Sequence, residues 1–209
     1  VADGIFKSQD EIDNHATQEG AALGRIRWKD LNNDGKITEA DQEWIYDPTP
    51  DFTYGFNIYL EYKNFDFTAF FQGVQGVDII SDLKKETDIW AGLNIGFLNK
   101  GRRLLDAWSA TNPNSNIPAV SLSDNNNEKR VSSYWVENGS YLKLRTVQIG
   151  YNVPKSFAQK LAMERLRFYL SAQNLFTVKS SSFTGVDPEN PNYGYPIPLN
   201  ITFGLNVTF

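Results

Sequence analysis

The chain has 209 residues and carries 20 Lys and Arg against 25 Asp and Glu, a formal net charge of −5 at pH 7. That balance excludes the basic footprint that nucleic acid requires. No run approaches the roughly 18 apolar residues of a membrane-spanning helix. The absence of Cys removes disulfides, thiol chemistry and Cys-ligated zinc. Aromatic residues make up 14% of the chain, which suits a lipid-facing barrel with aromatic girdles or a glycan-binding surface. The opening Val1-Ala2-Asp3-Gly4 has neither Met nor a signal pattern, as expected of a mature product or of a piece of a longer protein.

Residues 1–29 are polar and punctuated by Gly4, Gly20 and Gly24, with helical character expected over 8–18. A loop dense in acids and amides follows over 30–41, and Pro48 and Pro50 stop any helix begun at Thr38. Two strands come next. Phe52, Tyr54, Phe56, Ile58, Leu60 and Tyr62 alternate with smaller or polar residues, and after a tight turn at Asn64 the pattern resumes with Phe65, Phe67, Ala69 and Phe71. Each run matches the roughly 9–11 residues of a tilted transmembrane strand. Gly73 and Gly76 are expected to end the second.

Residues 77–139 interrupt the strands for far longer than an ordinary loop. Within them a short helix over 100–109 would carry Leu104, Leu105 and Trp108 on one side. Strand pattern returns at Tyr141, with a phase slip near Arg145-Thr146 that predicts a β-bulge. A short connection over 154–161 leads to a strand carrying Leu166, Phe168, Leu170 and Ala172. Residues 176–197 then read as irregular. The final twelve residues, 198–209, alternate throughout, with Leu199, Ile201, Phe203, Leu205, Val207 and Phe209 on one face.

Five strands are therefore expected, joined alternately by short and long connections. Barrels of bacterial outer membranes alternate short periplasmic turns with long extracellular loops. The connections at Asn64 and 154–161 fall on one side by parity, and 77–139 and 176–197 on the other. The expected fold is all-β, a set of antiparallel strands whose apolar face meets lipid. The expected division is an extracellular loop over 1–51 followed by strands and loops over 52–209.

Asp30, Asn32, Asp34, Gly35, Ile37 and Asp41 fit the spacing of an EF-hand-type loop, with an acid at its twelfth position. Hard Ca²⁺ favours closely spaced oxygen ligands, so the expected metal set is Asp30, Asn32, Asp34, the Lys36 carbonyl and Asp41. The competing reading is a turn held by Asx hydrogen bonds without metal. His15, the only histidine, is expected on a surface loop, since without a second His or a Cys it builds no zinc site. The carboxylate pairs Asp10/Glu11 and Glu86/Asp88 read as solvated charges. Trp90, Trp108, Tyr134 and Trp135 read more readily as packing within the long loop than as a ligand platform. No phosphate-cradling loop and no nucleophile elbow is present, so no enzyme is expected.

Several stretches resemble signatures of the SusC/RagA-type TonB-dependent outer-membrane transporters. These are Arg27-Trp28-Lys29-Asp30-Leu31-Asn32-Asn33-Asp34-Gly35-Lys36-Ile37, then Ser140-Tyr141-Leu142-Lys143-Leu144-Arg145 leading into Ile149-Gly150-Tyr151-Asn152-Val153-Pro154. Ala172-Gln173-Asn174-Leu175-Phe176-Thr177, Thr184-Gly185-Val186-Asp187-Pro188-Glu189 and the run from Phe203 to Phe209 follow in family order. The resemblance implies a barrel of about 22 strands, of which this chain would be the C-terminal part. It also implies a plug outside this chain, a SusD/RagB-like surface lipoprotein partner, energy drawn through TonB, and residence in the outer membrane of a Gram-negative bacterium. The implied cargo is glycans or peptides. The alternative from another class is a secreted, calcium-bearing β-sandwich that binds glycans through surface aromatics.

Overall fold

A computed structural model of the chain describes residues 1–88, 101–191 and 194–209. In chain order the elements are β1 (Ala2–Ile5), α1 (Gln9–Asp13), β2 (Ile26–Trp28), β3 (Phe52–Tyr62), β4 (Phe65–Gln75), β5 (Asp78–Ile80) and α2 (Asp82–Asp88), followed by β6 (Val136–Asn138), β7 (Tyr141–Asn152), α3 (Lys155–Ala158), β8 (Arg165–Lys179) and β9 (Asn200–Thr208). They form a five-stranded antiparallel sheet in the order β3-β4-β7-β8-β9 and two two-stranded ones, β1-β2 and β5-β6. The chain divides into two compact units, Val1–Asp47 with Ile79–Glu137, and Pro48–Asp78 with Asn138–Phe209.

The second unit is the sheet. Lys63, at φ +54°, turns β3 into β4 and the register runs unbroken from Phe52↔Gln75 to Tyr62↔Phe65. The predicted bulge is present: Thr146 pairs with Phe70 and Leu144 with Phe71, which leaves Arg145 as the extra residue of β7. β8 carries the matching irregularity, with Thr146 opposite Gln173 and Leu144 opposite Phe176. Asn174 takes φ +55° there, so β8 continues past the expected break and the irregular stretch starts only at Ser180. Gly73 likewise does not end β4. The Tyr54 ring lies over it, and a missing side chain is what leaves room for that ring.

The first unit brings residues 1–47 together with the long interruption, which the local pattern reads as separate pieces. Ile5, Ile26 and Trp28 are buried, with Ile37, Trp108 and Tyr134 packed against them. β2 pairs with β1 on one side only. Its other side is completed by side chains: Glu128 Oε1 accepts from the Ile26 N–H (2.7 Å), and Gln18 Oε1 from that of Trp28 (2.8 Å). The Ile26 carbonyl accepts from both Gln18 (2.8 Å) and Asn126 (2.7 Å). Buried backbone groups need partners, and here amide and carboxylate side chains take the place of a third strand. Glu128 is fully buried and its charge is met by Arg25 at 2.9 Å.

Helical character over 8–18 is confined to α1, capped by Ser8, whose Oγ accepts from the Glu11 N–H. The helix expected over 100–109 is a 3₁₀ turn at Arg102–Asp106.

Candidate functional site

Cross-strand partners share a face of a sheet, so the register sorts the side chains into two sets. One face carries Phe56, Leu60, Tyr62, Phe65, Phe71, Ile149, Phe168, Leu170, Phe176, Ile201, Phe203 and Leu205. All of these except Phe71 are exposed, Phe203 by 68%. Phe56 and Phe71 stack at 4.6 Å between centroids, and Phe65 meets Tyr151 at 4.8 Å. The opposite face carries Glu61, Asp66, Thr68, Gln72, Lys143, Thr146, Gln148, Asn152, Arg165, Arg167, Ser171, Gln173, Thr202 and Asn206. An exposed, continuous apolar sheet face beside a charged one is unstable in water and stable against lipid.

Near the short-connection end of the polar face, Arg167 donates to Asp66 through two nitrogens, one bond measuring 3.0 Å. Asn152 adds a bond to Asp66 at 3.1 Å and in turn accepts from Arg165 at 3.1 Å. Asp66 and Arg167 sit on β4 and β8, with β7 between them. They meet because position 150 is Gly; a Cβ there would collide with both the Arg167 guanidinium and the Asp66 carboxylate. An open cleft of about 450 Å³ runs along this network and is lined also by Tyr59, Glu61, Thr68 and Gln148.

At the other end, a loop folds onto the same face. Lys143 is only 1% exposed, and its ammonium contacts Asp187 at 2.9 Å and Glu189 at 2.6 Å. Arg145 forms a bidentate pair with Glu189, one bond at 2.8 Å, and Tyr141 donates to the same carboxylate at 2.6 Å. Arg145 also donates from Nε to Gln72 at 2.8 Å, which aims it along the polar face. Lys179 donates to the carbonyls of Gly185 and Val186. Burial pushes the Glu189 carboxyl up, but hydrogen bonds from Arg145, Lys143 and Tyr141 outweigh it and hold the group at about 2. Two of the resembling stretches, 140–145 and 184–189, are thus one site in space.

The acidic loop of the first unit is closed by its own hydrogen bonds. Asp30 accepts from the N–H of Asn33 (2.7 Å) and Gly35 (2.9 Å), Asn32 from that of Asp34 (2.9 Å), and Asp34 from that of Lys36 (2.8 Å). Gly35 takes φ +80°, as the sharp turn requires. Asp41, buried, reaches back to the N–H of Leu31 (2.9 Å) with one oxygen and to that of Thr38 (2.7 Å) with the other. The Thr38 amide, with those of Leu31 and Asn32, holds its carboxyl below the ordinary range against the opposing push of burial. The structure therefore brings Asp30, Asn32, Asp34, Lys36 and Asp41 onto one loop. Among the described residues, however, no group of three or more His, Cys, Asp or Glu is arranged to hold a metal ion.

His15 lies half-buried on the loop after α1, its Nε2 2.9 Å from the Trp28 carbonyl and its ring edge-on to Phe6 at 5.2 Å. Asp88 is not the solvated charge expected. It is buried, accepts from the Tyr134 hydroxyl at 3.1 Å and faces Arg103 at 3.2 Å. Burial, and then the Asp88 charge, push the Tyr134 hydroxyl pKa upward. Trp135 is fully buried, Trp108 packs over Gly24, and both belong to the interior of the loop unit as expected. Trp90 lies outside the described residues, as does the Glu86 side chain.

A sheet with one lipid-compatible face, one charged face, and alternating short and long connections is a wall segment of a transmembrane β-barrel. No protein-family model matches the chain. TonB-dependent receptor P3 of Formosa agariphila is 36% identical over 223 residues, covering 99% of this chain and 21% of that protein. SusC of Bacteroides thetaiotaomicron, also a TonB-dependent receptor, is 28% identical over 192 residues, 86% of this chain and 17% of that protein. In fold, the RagAB peptide transporter matches all of this chain with a TM-score of 0.72 at 24% identity, covering 22% of that chain. The chain thus spans about a fifth of the curated relatives it matches. In sequence and fold it is part of a SusC/RagA-type TonB-dependent receptor barrel.

Proposed function

We propose that this chain supplies wall strands and outward loops to an outer-membrane transporter that imports large nutrients, glycans or peptides, in a Gram-negative bacterium. The observation that carries the reading is the division of the five-stranded sheet into an exposed apolar face and a polar face rich in ion pairs. The apolar face would meet lipid and the polar face would line the passage. A sandwich requires a second sheet over the apolar face, and the other sheets among the described residues have two short strands each. The sandwich alternative is therefore not favoured.

The plug, the rest of the barrel and the segment that engages TonB would lie in portions of the protein outside this chain. A SusD/RagB-like lipoprotein would cover the outward loops, a reading supported by the likeness to SusC and to the RagAB transporter. The long connections 77–139 and 180–199 would face outward, and Lys63-Asn64 and 153–164 the periplasm. In whole cells, a thiol-specific, membrane-impermeant label should react with Asn125→Cys and leave Lys155→Cys untouched. The reverse pattern would overturn the orientation.

Ca²⁺ at the acidic loop is part of the same proposal, with a structural role. Its support is the spacing of Asp30, Asn32, Asp34 and Asp41. An ionised carboxylate has about four lone-pair sites, so amide bonds to Asp30 and Asp34 leave acceptor capacity for a cation. Asp41, with both oxygens already engaged, is the residue least free to turn toward one.

A further inference from the structure

The fastening of residues 185–189 to the polar face uses more charge than a loop needs in order to fold. Lys143, the third residue of β7, projects near the long-loop end of the strand into what would be the water-lined side of the wall, yet it is almost wholly covered. What covers it is the β8–β9 loop, through Asp187 and Glu189. A solvated lysine would gain nothing from this arrangement, whereas a covered ammonium needs both carboxylates. The loop is shaped for the contact. Asp187 accepts from the Glu189 N–H at 3.0 Å, Pro188 stiffens the turn between them, and Asn190 N–H bonds back to the Asp187 carbonyl at 3.0 Å. The two carboxylates therefore leave the turn on one side, toward Lys143 and Arg145. The bulge at Arg145 adds the extra residue that lets two successive cations of β7 meet one loop.

We propose that residues 180–191 form an inward strap, and that Lys143 and Arg145 are positioning residues that clamp it across the polar face. By occupying space beside the wall, the strap narrows the passage and sets the upper size of what passes. This rests on the reading of the polar face as the lining of an import passage. The clamp is electrically balanced, two cations against two carboxylates, with the Tyr141 hydroxyl and Lys179 as additional fasteners. Charge-assisted hydrogen bonds of this kind hold a loop closed while leaving it releasable by competition with water.

The test uses the full-length receptor in its membrane, with spin labels at Val186→Cys on the strap and Asn57→Cys on the polar face of β3. Wild type should give one narrow distance distribution. Lys143→Met should raise the released population roughly tenfold or more, and Lys143→Arg should restore the narrow distribution. The loop-side pair Asp187→Asn with Glu189→Gln should release the strap as well, and it leaves every strand residue native. Unchanged distances in this loop-side pair and in any folded Lys143→Met would overturn the clamp. The second arm measures uptake by cells of fluorescent peptides and maltooligosaccharides of graded length. Release should raise uptake of the longest relative to the shortest severalfold, and an unchanged ratio with a released strap would overturn the size-setting role. If wild type imports neither series, the nutrient-import reading fails, while the distances still decide whether the clamp exists.

Discussion

The two units of this chain solve the same problem in opposite ways. In Val1–Asp47 with Ile79–Glu137, Ile5, Phe6, Ile26, Trp28 and Trp135 are buried, and the open backbone edge of β2 among them is met by the buried side chains of Gln18, Asn126 and Glu128. In Pro48–Asp78 with Asn138–Phe209, the large apolar residues of the strands lie mainly on the outside, and the ion pairs cluster on the opposite face. The same amino acids are sorted by different solvents. Water sorts the first unit, and on the proposed placement a bilayer outside with water inside sorts the second. The loop unit therefore needs an enclosed core, whereas the sheet needs only consistent alternation along each strand.

The sharpest way to break this contrast is to unbalance the buried network of the loop unit. Glu128→Ala leaves the Arg25 guanidinium without its counter-ion and the Ile26 amide without its acceptor and should cost that unit about 3–5 kcal/mol. Hydrogen exchange on the intact receptor should then show lost protection over 1–47 and 101–137, with strands β7 and β8 unchanged. A second pair of variants inverts the test on the sheet. Phe203→Lys, on the apolar face, should destabilise by about 2–4 kcal/mol in bilayers, and Thr202→Lys, one residue away on the polar face, by about 0–1 kcal/mol. Equal costs in urea unfolding from lipid vesicles would mean that the two faces do not meet different media.

Gly150→Val should cost about 1–3 kcal/mol by driving Asp66 and Arg167 apart. Most of that cost should vanish in an Arg167→Ala background, a coupling that thermal unfolding in detergent can read. The strap responds to pH with a defined sign. Glu189 titrates at about 2 when folded, below its ordinary value of 4.5, so its contribution is complete above pH 4.5 and disappears as pH falls through about 2. The spin-label distance across the strap should hold from neutral pH to 4.5 and broaden only on further acidification. The smallest effect is expected at the acidic loop, whose fold already stands on amide hydrogen bonds. Titration of Ca²⁺ into the intact receptor should release heat at a site of weak to moderate affinity, about 10⁻⁵–10⁻³ M. The heat should be lost in Asp34→Ala, and a flat wild-type titration would remove the metal.

Alternation with period two is a local property, and it is why the strands, their faces and the bulge at Arg145 could be read from neighbouring residues alone. The strand signal failed where distant residues intervene: Gly73 reads as a strand end until the Tyr54 ring fills its space, the residues from Phe176 read as irregular until the β7 bulge finds its partner irregularity at Asn174, and the short strands β1, β2, β5 and β6, which pair only across the fold, gave no alternation to read. The resembling stretches were legible one by one, as was the turn chemistry of the acidic loop. Which of 20 basic residues meets which of 25 acidic ones was not, because charge pairing across 44 or 101 residues leaves no periodic trace. Only the tertiary structure brings Lys143 to Asp187 and Glu189, sets Arg167 against Asp66 over Gly150, and seals β2 with side chains from Gln18, Asn126 and Glu128. Sequence determines the faces because each strand is sorted by the medium it touches; the closures between distant segments depend on register and loop path, which exist only in the folded chain.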